Sequence, residues 1–204
     1  MSDASEHAPT LLSATALAES DVGSCEWDVD QGSSLLSVSN KGLTIEWGPR
    51  KPECKGKLRT PAWVPAPTRL HLHSGTFRCD FVVEEMASAQ IGVGFLLLWD
   101  VGPDWGFFGY LGASPTAWAY DPSTGDVVCD TESIQAGLPK FADGRTGVVS
   151  VQLNLPRDAE GSGSFRVSGT DTRRIALPIG AVVMPAACLL RESQRVTLAR
   201  YERR

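Results

Sequence analysis

Three histidines, five cysteines and a scatter of carboxylates are the residues of this 204-residue chain with the means to do chemistry. His71 and His73 stand two apart, so on a strand both project from one face, a spacing that can begin a metal site. A zinc site needs three or four ligands, and no acidic or thiol partner is spaced beside them, while His7 lies far off near the N-terminus. Asp121–Pro122–Ser123–Thr124–Gly125–Asp126 is rich in oxygen ligands but lacks the spacing of a calcium loop. A proline second and a glycine fifth suit a hairpin turn better. Glu84 and Glu85 are adjacent, so on a strand they face opposite sides and cannot share a substrate. There is no G-x-S-x-G elbow, no phosphate-cradling glycine loop and no H-E-x-x-H. The expectation is a non-enzymatic protein with no metal and no cofactor.

Aromatic side chains are the stronger signal. Trp99, Trp105, Phe107 and Phe108 surround Asp100–Val101–Gly102–Pro103–Asp104. Trp and Phe supply large contact area at low entropic cost, which suits a recognition loop, although alternation along a strand would turn half of them inward. Trp118 and Tyr120 share a strand face and read as core. Trp47, Pro49 and Arg50 sit where a hairpin runs into a long loop, offering a flat apolar platform beside a charged hydrogen-bond donor.

The elements that must position these groups read as strands. Ser33–Ser39 and Leu43–Trp47 flank Asn40–Lys41–Gly42, whose Asn and Gly tolerate the left-handed backbone of a tight hairpin. Between Gly48 and Pro67 five prolines predict a surface excursion in place of a strand. The central stretch from Gly75 to Cys129 reads as strands around the aromatic segment. Within it GTFRCDFVVEE alternates poorly, which predicts a core strand covered on both faces for part of its length. In Ile91–Gly92–Val93–Gly94–Phe95 the large residues alternate with glycines, as in a strand that fills an interior while another segment approaches its glycine face. Gln135–Arg145 reads as a loop and Gly147–Leu155 as a half-buried strand, followed by short strands at Ser164–Val167 and Arg173–Leu177 and a final pair at Ala181–Leu190 and Arg195–Tyr201. Turn signals every 8–12 residues or so mark a sandwich. Residues 1–26 are Ala/Ser-rich and read as a tail, flexible or with a short helix, ahead of one β-sandwich domain over 27–204.

Charge and cysteine usage narrow the partners. A net charge of −5 opposes nucleic-acid binding, and the basic run from Arg50 to Arg59 has no interleaved aromatics on which bases could stack. Five scattered cysteines fit neither a disulfide framework nor a C-x-x-C site, so they read as reduced thiols in the cytoplasm. No basic leader and no apolar run of bilayer length is present, so no membrane association is expected.

The order of these elements resembles the SPRY domain family, whose domains are β-sandwiches of two curved antiparallel sheets used mainly for protein recognition. The likeness rests on Asn40–Lys41–Gly42–Leu43–Thr44, Ser74–Gly75–Thr76–Phe77, Ile91–Gly92–Val93–Gly94, and Ala117–Trp118–Ala119–Tyr120–Asp121 with Gly125. It continues through Phe141–Ala142–Asp143–Gly144 with Val148–Leu155, Met184–Pro185–Ala186–Ala187 and Val196–Thr197–Leu198. The chain departs from the family at Gly169–Thr170–Asp171, where an Asn-Gly hairpin tip is usual, and in its longer aromatic strand. The resemblance implies an all-β, concanavalin-like jelly roll. It also implies a peptide-binding face lined by the loop after Trp47, the turn near Ser88 and the turn near Arg191. The expected function is a monomeric, non-catalytic interaction module that binds a peptide or loop of a partner protein through Trp47, Pro49, Arg50, Ser88, Trp99, Trp105 and Arg191. A carbohydrate-binding or glycan-processing sandwich, presenting Trp faces to sugars, is the alternative.

Overall fold

The computed structural model describes residues 25–28, 36–47, 64–84, 91–98, 110–141, 146–190 and 194–204. The opening hairpin forms as its turn residues require. Strands β1 (Leu36–Ser39) and β2 (Thr44–Trp47) pair across Asn40, Lys41 and Gly42, all three left-handed at φ 51°, 55° and 88°. The proline-rich stretch before Leu70 is not a loop to its end, because Val64–Pro67 forms β3. Among the strands of the described residues it lies at a sheet edge, paired with β13 (Val183–Leu189). An edge strand has one side with no ladder to supply, and there proline's missing N–H costs nothing.

The central stretch supplies β4 (Gly75–Glu84), β5 (Gly92–Leu97), β6 (Ala117–Asp121) and β7 (Asp126–Cys129). A short β8 (Glu132–Gln135), which the residue pattern does not signal, follows. The remainder comprises β9 (Gly147–Leu155), β10 (Gly161–Val167), β11 (Thr170–Asp171), β12 (Ile175–Leu177) and β14 (Arg195–Arg203). At the late hairpin Ser168 and Gly169 take φ 48° and 84°, the two-residue turn whose twist matches its strands, so Arg166 faces Asp171.

These strands build two antiparallel sheets. The eight-stranded sheet runs β1-β2-β14-β4-β9-β10-β11, with β12 also on β10; the six-stranded sheet runs β3-β13-β5-β6-β7-β8. Alternation sends Phe77, Cys79, Phe81 and Val83 of β4, Val149, Val151 and Leu153 of β9 and Phe165 of β10 into the space between them. From the opposite sheet come Val93, Phe95 and Leu97, with Trp118 and Tyr120 beside them. Strand β4 lies between β14 and β9, and its outward Asp80 and Val82 are buried as well, so the poorly alternating run is a centre strand covered on both faces.

The glycines of β5 do what their alternation suggests. A Cβ on Gly92 would lie 2.7 Å from Cys188 Sγ and 2.8 Å from the Tyr110 ring, and one on Gly94 would lie 1.8 Å from the Trp118 carbonyl oxygen. On that outer face Leu96, Ala117, Ala119, Met184, Ala186 and Cys188 form a second apolar cluster beneath the 3-10 turn Leu111–Ala113.

Trp27 is a core residue that local pattern does not reveal. It is buried against Phe81, with ring centroids 5.9 Å apart, and its indole Nε1 donates to the Leu43 carbonyl at 2.8 Å. The flanking backbone pairs on both sides, Trp27 N to Gly42 O and Asp28 N to Pro67 O, so this short segment bridges the opening hairpin and β3. Trp27→Ala removes a large buried ring and one buried hydrogen bond; we expect it to cost about 3 to 5 kcal/mol, read as a lower urea midpoint. Gly94→Ala, which must move a neighbouring strand, is expected to lower the midpoint too, and an unchanged value would show that β5 and β6 can separate freely.

Candidate functional site

Three segments cross between the sheets at one end of the sandwich. The segment 48–63 leaves β2 of the eight-stranded sheet at Trp47 and enters β3 of the other at Val64, opposite Leu189. The segment 85–90 leaves β4 at Glu84 and reaches Ile91, next to Gly92, which faces Cys188. The segment 191–193 connects β13 to β14. Their roots touch. The Trp47 amide donates to the Gln194 carbonyl at 3.2 Å, and the Leu190 amide donates to Gln194 Oε1 at 2.6 Å. Arg195 lies between two carboxylates, with Nη2 3.3 Å from Glu46 Oε2 and Nη1 3.7 Å from Glu84 Oε2. Ser37 Oγ donates to Glu46 Oε1 at 3.4 Å.

Of the residues singled out in the sequence, Trp47 is among those described. Strand β2 turns it to the same side as Ile45, and it packs half-buried against the core. Pro49, Arg50, Ser88, Trp99, Trp105 and Arg191 lie outside the described residues. The roots of their segments separate into two groups. Positions 49, 50, 88 and 191 belong to the three segments at this rim. Trp99 follows Leu98, whose amide donates to Val182 O at the far end of β5, about 20 Å away along the strand. The aromatic segment comes back at Tyr110, against Gly92. Trp118 and Tyr120 are core, as their shared face suggests: Trp118 stacks on Phe95 at 5.2 Å, and the Tyr120 hydroxyl donates to the Pro139 carbonyl.

Glu46, Glu84, Gln194 and Arg195 escape a reading by residue type, because nothing local distinguishes a strand-end Glu or Gln that meets a distant partner from one that faces solvent. Elsewhere the outer face of the eight-stranded sheet is also charge-paired. Arg78 Nε meets Asp80 Oδ1 at 2.8 Å, and Arg166 grips both oxygens of Asp171 at 2.6 and 2.7 Å, which holds that carboxyl below its usual range. His71 is half-buried and His73 exposed, and among the described residues no three His, Cys, Asp or Glu side chains gather as a metal would require. In the Asp121 turn the carboxylate is occupied by its own chain, accepting from Ser123 N at 2.8 Å and Ser123 Oγ at 2.6 Å.

Cys79, Cys129 and Cys188 are inert by environment. Burial pushes Cys188 up to about 12 from an ordinary value near 9, and burial also raises Cys79, with Cys25 and Asp80 adding to the effect. Half-buried Cys129 is raised by burial and by Asp130. Since the thiolate is the nucleophile, none of the three is poised to attack at neutral pH.

Comparison with known proteins agrees with this architecture. No family model matches the sequence, and none of the curated proteins matches it. Solved structures do match. The SPRY domain of human HERC1 superposes with a TM-score of 0.59 at 15% identity, over 85% of this chain and 96% of that one. A human SPRY domain gives 0.59 at 13% identity, over 82% and 96%, and the TRIM65 PSpry domain gives 0.58 at 12%, over 86% and 91%. The chain therefore has the SPRY fold, an all-β sandwich of two antiparallel sheets.

Two outcomes follow from the electrostatics. In native protein at pH 8, alkylation mapped by mass spectrometry should leave Cys79 and Cys188 unmodified and label Cys129 slowly; rapid labelling of Cys188 would contradict its burial. A thiol raised on folding stays protonated in the native state where the unfolded chain has already lost its proton. Stability is therefore expected to be retained below pH 9 or so and to fall as the pH rises from 9 towards 12, measured by urea titration at successive pH values.

Proposed function

We propose that this chain is a non-catalytic protein-interaction module that holds an extended peptide, or a loop of a partner protein, at the rim where 48–63, 85–90 and 191–193 meet. The observation that carries the reading is the convergence of three sheet-crossing segments on roots tied to one another. Binding residues concentrate on loops held by a rigid scaffold, since loops tolerate changes of sequence that a packed core does not. In this reading Trp47 is the anchor that contributes apolar area. Pro49 adds to the apolar platform, and Arg50, Ser88 and Arg191 supply the polar contacts, as the resemblance to SPRY domains suggests. Trp99 and Trp105 belong to a segment that leaves β5 at the other end and returns at Tyr110, beside Gly92 near this rim. The domain acts as a monomer in a reducing cytoplasm, a setting that suits the free, buried thiols of Cys79 and Cys188.

A phage-displayed random peptide library selected on the full-length protein tests this reading. Enriched peptides should bind the wild type and lose about tenfold or more in affinity on Trp47→Ala with Arg191→Ala, the loss expected for an anchor and a charged contact. A thermal melt of the double variant, and Arg191→Ala alone, separate lost contacts from lost folding. Peptides that bind the folded double variant undiminished would clear this rim of the role. Binding on a glycan array with no peptide enriched would favour the carbohydrate alternative.

A further inference from the structure

Gln194 is polar and yet has no exposed surface. A buried carboxamide is costly unless its atoms find partners, and an apolar side chain of similar length would fill the same volume without that cost. Gln194 offers something such a side chain cannot. Its Oε1 accepts the Leu190 amide, and its main-chain carbonyl accepts the Trp47 amide. Leu190 directly follows β13 of the six-stranded sheet and Trp47 ends β2 of the eight-stranded one, so a single residue joins both layers at the rim. The next residue faces outward, where Arg195 draws in Glu46 of β2 and Glu84 of β4. Gln194, just before β14, and Arg195, its first residue, thus hold a root of each of the three segments.

We infer that Gln194 is a positioning residue of the peptide-binding rim. It sets the spacing of the three roots before a ligand arrives, so that binding does not have to pay for ordering them. The inference rests on the function proposed above. Gln194 makes no contact with the peptide in this account, and it acts through Leu190 and Trp47. Arg195 assists from the surface, where the side chains of the three charged partners are 33–39% exposed and solvent weakens their pairing. The inward hydrogen bonds, shielded from water, are the firmer half of the clasp.

Hydrogen exchange on the full-length protein, followed amide by amide, tests the clasp without any ligand. In wild type the Leu190 and Trp47 amides should be protected. Gln194→Met keeps the volume and removes the acceptor, so exchange at Leu190 should accelerate by about tenfold or more, the effect of leaving a buried donor unsatisfied, with Trp47 following. Leu72 and Leu98, which donate to Val183 and Val182 at the opposite end, should keep their wild-type rates. In Gln194→Glu a buried carboxyl is accommodated in its neutral form, so protection at Leu190 should return on lowering the pH, which Gln194→Met does not show. The affinity of peptides selected on wild type should fall about tenfold in Gln194→Met, mainly through faster dissociation. Should Gln194→Met fail to fold, the wild type still decides: a Leu190 amide that exchanges as fast as an unstructured one overturns the clasp. Acceleration spread equally over Leu72 and Leu98 would mark Gln194 as a global stability residue and overturn the inference. Faster exchange at the rim with unchanged peptide affinity would overturn its positioning role. A library that enriches nothing sinks the function reading alone, because the exchange pattern judges the clasp independently.

Discussion

The contact between Phe95 and its two aromatic neighbours is the constraint from which the rest of the domain follows. Phe95 stacks on Trp118 of its own sheet at 5.2 Å and on Phe165 of the facing sheet at 5.6 Å, so one ring registers β5 against β6 and also fixes the layers against each other. Large rings in a close-packed interior tolerate little displacement. With the layers held at this distance, Gly92 and Gly94 are required on the reverse side of β5, where Cys188, Tyr110 and the backbone of β6 leave no room for a Cβ.

That rigid interior explains why the rim can be assembled from modest interactions. The ties at the loop roots are a few hydrogen bonds and one guanidinium shared by two partly exposed carboxylates, each worth on the order of 1 kcal/mol. Alone they would not hold three chain segments in place. Acting on strand ends already aligned by the core, they need only suppress fraying. The division of labour is physical: the interior supplies most of the free energy, and the rim supplies placement.

Much of the sandwich is legible along the sequence, because period-two alternation and turn chemistry are local. Val149, Val151 and Leu153 announce their strand, Asn40 and Gly42 announce their hairpin, and the mixed run through Asp80 and Val82 announces a strand covered on both sides. The proline-rich β3 is misleading for an equally physical reason. Proline's penalty depends on whether its nitrogen faces a neighbouring strand, which the sequence around Pro67 does not state. Trp27 is hidden likewise, since its place in the core depends on Phe81, Leu43 and Thr68, all far along the chain.

By itself, then, the sequence determined the class of architecture, most strand positions, the inward aromatics of β6 and the absence of the familiar catalytic motifs. Each of these is set by residues within a few positions of one another, where side-chain direction follows from the pleat alone. The tertiary structure decided which strand ends meet. Trp47, Glu84 and Gln194 come from well-separated parts of the chain, and they become neighbours only because strands from both ends of the sequence insert side by side. Strand order is a property of the packed sheet and leaves no local mark, so the rim and the buried glutamine at its centre become visible only once the layers have closed.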